Sequence, residues 1–467
     1  MSPLISRLSL GVLVAGAAGC ALGPNYSTPE VEVPAAWQRS ADSKIAAPGT
    51  EDLSAWWQRL QDPLLSKLID EALTGSLDLR TAQARLRQAR ALRAIAGADR
   101  FPTVTASAAA SRAKGSERTG SGRTTELYSV GFDARWEPDV FGGVRRGIEA
   151  AQADLEASEA SLQNTRVSLI AEVALNYVEV RAFQARLANA RRNLESQTET
   201  FQLTDWRAQA GLVATLDVEQ ARAQLEQTRA QIPALETSLA QAEHRLAVLL
   251  GRAPGALRER LAERRPVPVL PERVAIGIPA DTLRQRPDVR AAERSLAAET
   301  ARIGQREAAR YPGFTLSGSI GLEALAFSAL GASGAAAHSI AASVAAVVFD
   351  AGRLRQQVEV QSAVTEQALV SYEAAILTAL EDVENALAGL GNSMQREAAM
   401  RAAAEAARNA ALLARQRYTS GLIDFQPVLD TERTLLSIED NLAATQAESA
   451  SSLIQLYKAL GGGWTPL

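Results

Sequence analysis

The sequence predicts an α+β fold in which short membrane strands, four per chain, continue into a very long α-helical coiled coil, and the whole arrangement is duplicated. Three observations carry this. Landmarks recur at one offset: Asp78-Leu79-Arg80 returns as Asp288-Val289-Arg290 (288 − 78 = 210), Phe101-Pro102 as Tyr311-Pro312 (311 − 101 = 210), Gly211-Leu212 as Gly421-Leu422 (421 − 211 = 210) and Leu250-Gly251 as Leu460-Gly461 (460 − 250 = 210). That period is far too long for a solenoid and reads as a duplicated half. Apolar residues keep a heptad over long stretches. Four short segments alternate or are Ala-rich in the manner of strands.

In chain order, residues 1–19 carry Arg7, an apolar run from Leu8 to Val14, and then small residues, which is a signal-peptide layout. Ala17-Ala18-Gly19-Cys20 resembles a bacterial lipobox, although Ala17 stands where Leu is usual. The resemblance implies S-diacylglycerol and N-acyl groups on Cys20, and Ala21 in place of Asp implies sorting to the outer membrane. Cys20 is the single cysteine, so no intramolecular disulfide exists. Residues 20–77 then read as a lipid-anchored N-terminal extension leading into the equatorial region.

The first repeat spans 78–251. A helix over Asp78–Arg100 is stopped by the X-Pro pair at Phe101-Pro102. Strands are expected at 103–111 and 126–137. In the second of these Tyr128, Val130, Phe132, Ala134 and Trp136 share one face, against Ser129, Gly131, Asp133 and Arg135. The polar loop Arg112–Thr124 joins them. A helix over 144–202 would be about 90 Å long at ~1.5 Å per residue, too long for a compact domain. Its heptad runs through Leu155, Leu162, Leu169, Val173, Val180, Leu187, Leu194 and Phe201. A turn at 207–212 reverses the chain into a return helix.

Residues 252–287, rich in Pro, Gly and Arg, form a connector. The second repeat, 288–467, repeats the layout: a helix, strands at 314–322 and 340–349, a long helix with Leu369, Ile376, Val383 and Leu390 in heptad, a turn at 417–422, and a return helix. A second track, Leu380, Leu387 and Met394, widens this stripe to suit more than one neighbour.

Each strand segment is close to the ~9–11 residues that a tilted membrane strand needs. Four strands cannot close a barrel, and an open edge cannot face lipid, so several subunits must contribute. Two would give eight strands, too narrow for an open channel, and three would give twelve. The sequence excludes one and disfavours two without choosing three. A fibrous coiled coil bridging the envelope is the competing architecture, and the alternating strands and the duplication argue against it.

Composition and inventory exclude other classes. A net charge of −4 offers no basic face for nucleic acid. His244 lies beside Glu243 and Arg245 late in a helix, His338 opens a strand, and neither belongs to a catalytic constellation. Glu381-Asp382-Val383-Glu384 looks like a metal cluster, but adjacent acids on a helix point in different directions. No enzyme activity, metal or other cofactor is expected.

The set of motifs resembles the outer membrane factor (TolC-like) family in its NodT-type lipoprotein branch. These motifs are the start Cys20-Ala-Leu-Gly-Pro-Asn-Tyr26, then Trp56-Trp57…Asp62-Pro63…Leu68-Ile69…Ala72-Leu73, Gly277-Ile278-Pro279 with Arg286-Pro287-Asp288-Val289, and Ser420-Gly421-Leu422 with Val428-Leu429-Asp430. The likeness covers essentially the whole mature chain. It implies a homotrimer with a twelve-stranded outer-membrane barrel and a periplasmic α-helical barrel. It also implies a periplasmic adaptor (membrane fusion) protein and an inner-membrane RND pump as partners, with the trimer a passive exit channel for drugs or other small molecules. Protein export beside an ABC transporter is the alternative on the same fold. By the same resemblance Gly211, Leu212, Gly421 and Leu422 become tips that meet the adaptor. Arg417 and Tyr418 become a periplasmic gate held by hydrogen bonds, and Asp430 forms a ring of carboxylates that narrows the pore. Pro427 stands where some members carry a second acid, so a double acidic ring is not expected. The plain alternative for Asp430 is a solvated helix charge.

Overall fold

The computed structural model describes residues 21–38, 46–47, 52–268, 274–275 and 279–464. The signal peptide and Cys20 lie outside them, as do Gly277 and Ile278.

The long helices form where the alanine-, leucine- and glutamine-rich heptads predict them, and they run further than the sequence suggests. After α1 (Pro63–Gly75) and α2 (Leu77–Ala98) come strands β1 (Thr103–Lys114) and β2 (Thr124–Trp136). α3 covers Gly143–Gln209, reaching the tip turn instead of ending near residue 202, and α4 covers Thr215–Leu249. Its 67 residues span about 100 Å at ~1.5 Å per residue. The connector contributes α5 (Pro279–Gln285). The second repeat then gives α6 (Pro287–Ala308), β3 (Gly313–Ala324), β4 (Ala336–Ala345), α7 (Arg353–Thr419) and α8 (Phe425–Ala459). α3 and α7 have the same length, as do α4 and α8.

The last strand is a correction. The sequence places it at 340–349, but it occupies Ala336–Ala345, and Val347, Val348 and Phe349 follow it exposed and outside any strand. The reason lies in its partner. Ala345 pairs with Gly313, and the residue before that is Pro312, which has no N–H to continue the ladder.

The four strands form one antiparallel sheet in the order β1-β2-β3-β4. Register sets two faces. Phe132 lies opposite Ala106 and Ile320, and Trp136 lies opposite Leu316, which faces Ala342. Directly opposed residues share a side of the sheet, so these rows make one apolar face. Asp133 lies opposite Thr105 and Ser319, and Ser319 opposite Ser339, making the other face polar. On this face Phe132, Ile320 and Ile340 are exposed, Tyr128, Ala134 and Phe314 are half-buried, and His338 stands opposite Ile320. Such a contiguous exposed patch belongs against lipid. Among the described residues β1 and β4 each keep one edge unpaired.

The repeats are not the compact units. One unit gathers residues up to 30, 85–159 and 291–373, and the other gathers 31–84, 160–290 and 374–467. The repeat boundaries at 78–251 and 288–467 therefore describe ancestry and not packing. β2 pairs with β3, which joins a strand of each half in one sheet.

The second unit has the large core. Trp56 stacks on Tyr457 at 5.1 Å and meets Trp57 edge-on at 6.1 Å. Leu65, Leu68 and Ile69 of α1, Ile170 and Tyr177 of α3, Leu246 of α4 and Ile454 of α8 are fully buried with them. Asp62 caps α1 by accepting from the N–H groups of Leu64 and Leu65, and it receives the Tyr177 hydroxyl at 2.5 Å. Burial and that carboxylate push the Tyr177 phenol up to about 12.

The Arg286-Pro287-Asp288 motif is a clamp in the same unit. Buried Arg286 donates to both Asp288 oxygens (3.0 and 2.6 Å), to Asp382 (2.9 Å) and to the Ala459 carbonyl (3.1 Å). Asp382 is thus an ion-pair partner. Glu384 accepts from the Gln38 N–H and Glu381 from the Asn385 side chain, so the acidic run is spread over separate partners. Among the described residues no group of potential ligands could hold a metal ion, and no helix is long and apolar enough to cross a membrane.

Candidate functional site

The two tip turns have the same construction. At the end of α3, Gly211 sits at φ +74° and the Leu212 N–H returns to the Arg207 carbonyl at 2.9 Å. At the end of α7, Gly421 sits at φ +72° and the Leu422 N–H returns to the Arg417 carbonyl at 2.9 Å. This is the glycine-dependent helix stop in which a left-handed residue lets the last carbonyls be satisfied. Leu212 and Leu422 project at 72% and 74% exposure, and Trp206 and Leu216 flank the first turn, also exposed.

Under the second turn lies a small apolar cluster of Tyr418, Phe425, Val428, Leu429, Ala221 and Ala414. Tyr418 is buried, its hydroxyl is 3.2 Å from the Thr204 hydroxyl on α3, and its ring lies 5.8 Å from Phe425. Arg417, which the sequence pairs with Tyr418, is exposed, and no hydrogen bond of its side chain is found among the described residues. The residue that does meet Tyr418 is Arg207. Its guanidinium covers the ring at 4.4 Å and donates to the Thr419 carbonyl at 3.0 Å. Arg207 is the counterpart of Arg417 at the repeat offset (417 − 207 = 210). The duplication was the signal that could have found it.

Further along α3 the buried stripe turns polar. Asn193, Gln197, Thr200 and Thr204 are all buried. Thr200 donates to Glu432 of α8 at 2.8 Å, and Asn193 reaches Glu439 at 3.3 Å, which also takes Arg408 at 2.7 Å. Arg415 binds Ser196 at 2.8 Å and pairs with Glu199. Arg186 grips Asp440 with two bonds of 2.6 and 3.0 Å. Burial pushes the Glu432 carboxyl up, opposed in part by the Thr200 hydroxyl and by Arg415. Sequence reasoning missed this layer because it followed the apolar heptad, whose last members Leu194 and Phe201 are only half-buried.

Asp430 lies on the exposed side of α8 and accepts from the Gln426 side chain at 3.0 Å. One chain presents one such carboxylate. In the sheet, the polar face carries Ser107 donating to Asp133 at 2.9 Å and Ser319 bonded to Ser339 at 2.7 Å. These groups satisfy one another and leave a hydrated wall.

The profile described as "Outer membrane efflux protein" matches residues 68–252 and 278–462, two blocks separated by the repeat offset (278 − 68 = 210). The chain belongs to this family. It is 33% identical to nodulation protein T of Rhizobium leguminosarum bv. trifolii over 452 residues, covering 96% of each chain. It is 32% identical to the solvent efflux pump outer membrane protein SrpC of Pseudomonas putida over 473 residues, covering 99% of this chain and 98% of that one. The solved outer-membrane channel OprN superposes with a TM-score of 0.90 at 41% identity, over 96% of this chain and all of that one. The protein is therefore an outer-membrane efflux channel subunit that extends into the periplasm, with membrane strands continued by long helices. Channels of this family are trimers that work with adaptor proteins and inner-membrane pumps.

Proposed function

We propose that three copies of this chain form the exit duct of a tripartite RND-type efflux system and passively conduct drugs or other small molecules out of the periplasm. The single observation that carries this is the four-stranded sheet, with an exposed apolar face, a polar face and two unpaired edges. Such a sheet is stable in lipid only when its edges are closed by other copies. The exposed tip leucines suit an adaptor's apolar surface. Cys20 carries the lipid anchor. No residue within the duct selects a substrate, because a wide hydrated lumen makes few contacts, and selection belongs to the pump. The purified mature protein in mild detergent should run as a trimer by light scattering. A monomer that conducts in planar bilayers would overturn the architecture.

Asp430 is the ring former in this reading. Three carboxylates around one axis repel unless cations screen them. Asp430→Asn should keep the fold and weaken both cation preference and divalent block in planar bilayers. Unchanged selectivity would return Asp430 to a solvated helix charge.

A further inference from the structure

The two open edges of the sheet match each other. Just past the last strand pairs, the Gly115 N–H donates to the Arg123 carbonyl (3.1 Å) and the Glu323 N–H to the Ala335 carbonyl (2.8 Å). Both bonds continue the registers of β1 with β2 and of β3 with β4, in which odd-numbered residues oppose odd. In an antiparallel ladder, hydrogen-bonded and non-bonded pairs alternate. The odd residues of β1 and β4 therefore bond into the sheet. The backbone N–H and carbonyl groups of the even residues, Val104 to Lys114 and Ala336 to Val344, point out at the open edges. The even residues of both strands also lie on the apolar face. Opposing even with even thus satisfies hydrogen bonds and faces together, and a slip of one residue loses both.

Serines choose among the even-to-even registers. With Ala336 of one copy opposite Lys114 of the next, Ser339 and Ser343 stand directly opposite Ser111 and Ser107 on the polar face. Displaced by two residues either way, each of these serines faces an alanine or a threonine instead. A cross-strand serine pair is a contact this sheet already makes, between Ser319 and Ser339 at 2.7 Å. The same register sets Ile340 against Ala110 and Val344 against Ala106 on the apolar face, large against small. Length agrees as well. β1 has 12 residues and β4 has 10. Pairing all of β1 needs residues 336–347, so Ala346 and Val347, which follow β4, complete the match. Pro312 ends the pairing of β4 only on its β3 side, and Pro102, which has no N–H, ends the new ladder. Phe349, 87% exposed, then falls level with Phe101, 70% exposed.

We infer that β4 of one copy pairs antiparallel with β1 of a second copy in this one register, and that Ala346 and Val347 join the strand on assembly. This rests on the trimer proposed above and names the residues that close it. A second copy is the occupant because it presents an edge with the complementary hydrogen-bond phase, the same order of faces and the matching length. Val347 and Phe349, exposed in the single chain, gain neighbours only when that copy arrives.

The test is disulfide trapping in the full-length protein. Across this interface the odd residues form the non-hydrogen-bonded pairs, with Cα atoms ~4.5 Å apart, inside the ~4.4–6.8 Å that a disulfide spans. Diagonal neighbours stand ~7–8 Å apart and fall outside it. Ala109→Cys combined with Ala341→Cys should give a disulfide-linked trimer on a non-reducing denaturing gel, and so should Thr103→Cys with Val347→Cys. Ala109→Cys combined with Ser339→Cys or with Ser343→Cys should lose that band. Within one copy residues 109 and 341 sit on opposite edges of the four strands, about 14 Å apart at ~4.8 Å per strand, so the link joins copies. Single-cysteine variants measure any part played by Cys20, and Ala113→Cys with Ala337→Cys repeats the test should one pair fail to fold. A trimer by light scattering whose displaced pairs link instead would overturn the register. Linkage at 109–341 without linkage at 103–347 would overturn the strand extension. A trimer in which none of these pairs links would overturn the edge pairing altogether. A monomer would instead remove the trimer reading, a distinguishable failure.

Discussion

Two stretches of the one helix α3 are built from different chemistry. Between Leu169 and Val180 the buried face is apolar: Ile170, Val173, Tyr177 and Val180 have no exposed surface. Between Asn193 and Thr204 the buried face is polar, and its partners are hydrogen-bonding groups of α7 and α8. The first stretch is held by loss of apolar surface to water, which has no direction and no substitute. The second is held by bonds that are each worth about 1 kcal/mol net, because water can replace them. A seam of that kind can be undone without exposing a large apolar area. Gln197, buried with neither side-chain atom hydrogen-bonded among the described residues, marks where the seam is least satisfied. The tip end of the helix is the part able to rearrange, and the Trp56 end is the part that holds.

The comparison is broken most directly from the apolar side. Ile170→Ala should cost about 2–5 kcal/mol, through lost transfer energy plus a cavity that close-packed neighbours cannot refill. Thr200→Val, in the polar seam, should cost about 1–2 kcal/mol or less. Thermal loss of helical circular dichroism in detergent ranks the two. Equal shifts would mean that the seam is held like the core.

Next in size is the tip. Arg207→Ala removes a cation–π contact and one hydrogen bond, together about 1–2 kcal/mol. It should raise hydrogen exchange in residues 200–210 and 415–428. Arg417→Ala should stay within ~0.5 kcal/mol, as exposed substitutions do. The reverse ranking would mean that Arg417 and not Arg207 holds the tip within one chain.

The smallest expected effect is one of sign. Burial raises the Glu432 carboxyl, so its contribution is complete in acid and lost as pH rises through the raised value. Asp288 behaves oppositely: burial pushes it up, but the Arg286 guanidinium and the Val289 N–H more than offset this and leave it lowered. Its contribution is present above the ordinary aspartate range and lost as pH falls through the lowered value. Mild acid should therefore slow exchange around Thr200 and Glu432, while stronger acid speeds it around Arg286. Glu432→Gln should remove the first trend and leave the second. The same pH trend at both sites would refute the assignment.

The fold was largely legible. The heptad from Leu169 to Leu187, the alternation of Tyr128 through Trp136 and the paired Gly-Leu turns all report which side of one element meets water, and a local pattern encodes that directly. The candidate site was legible only in part. The tip glycines and the burial of Tyr418 follow from the chain's own order. The arginine over Tyr418, the carboxylates facing Thr200 and Asn193, and the packing around residues 21–25 do not.

What the sequence by itself determined is therefore the list of elements, their lengths to within a few residues, their apolar faces and the duplication, together with family membership. Tertiary structure alone decided three things. Arg207 and not Arg417 covers Tyr418, although the repeat makes the two equivalent by sequence. The last strand ends at Ala345 because its neighbour runs into Pro312. Gly142, Gly304 and Arg146, far along the chain from residues 21–25, close around that segment. The physical reason is common to all three. Periodicity constrains the surface of a single helix or strand. Which distant groups then come within hydrogen-bond reach depends on the rotation and register at which two elements pack, and shifting either by one residue changes every partner.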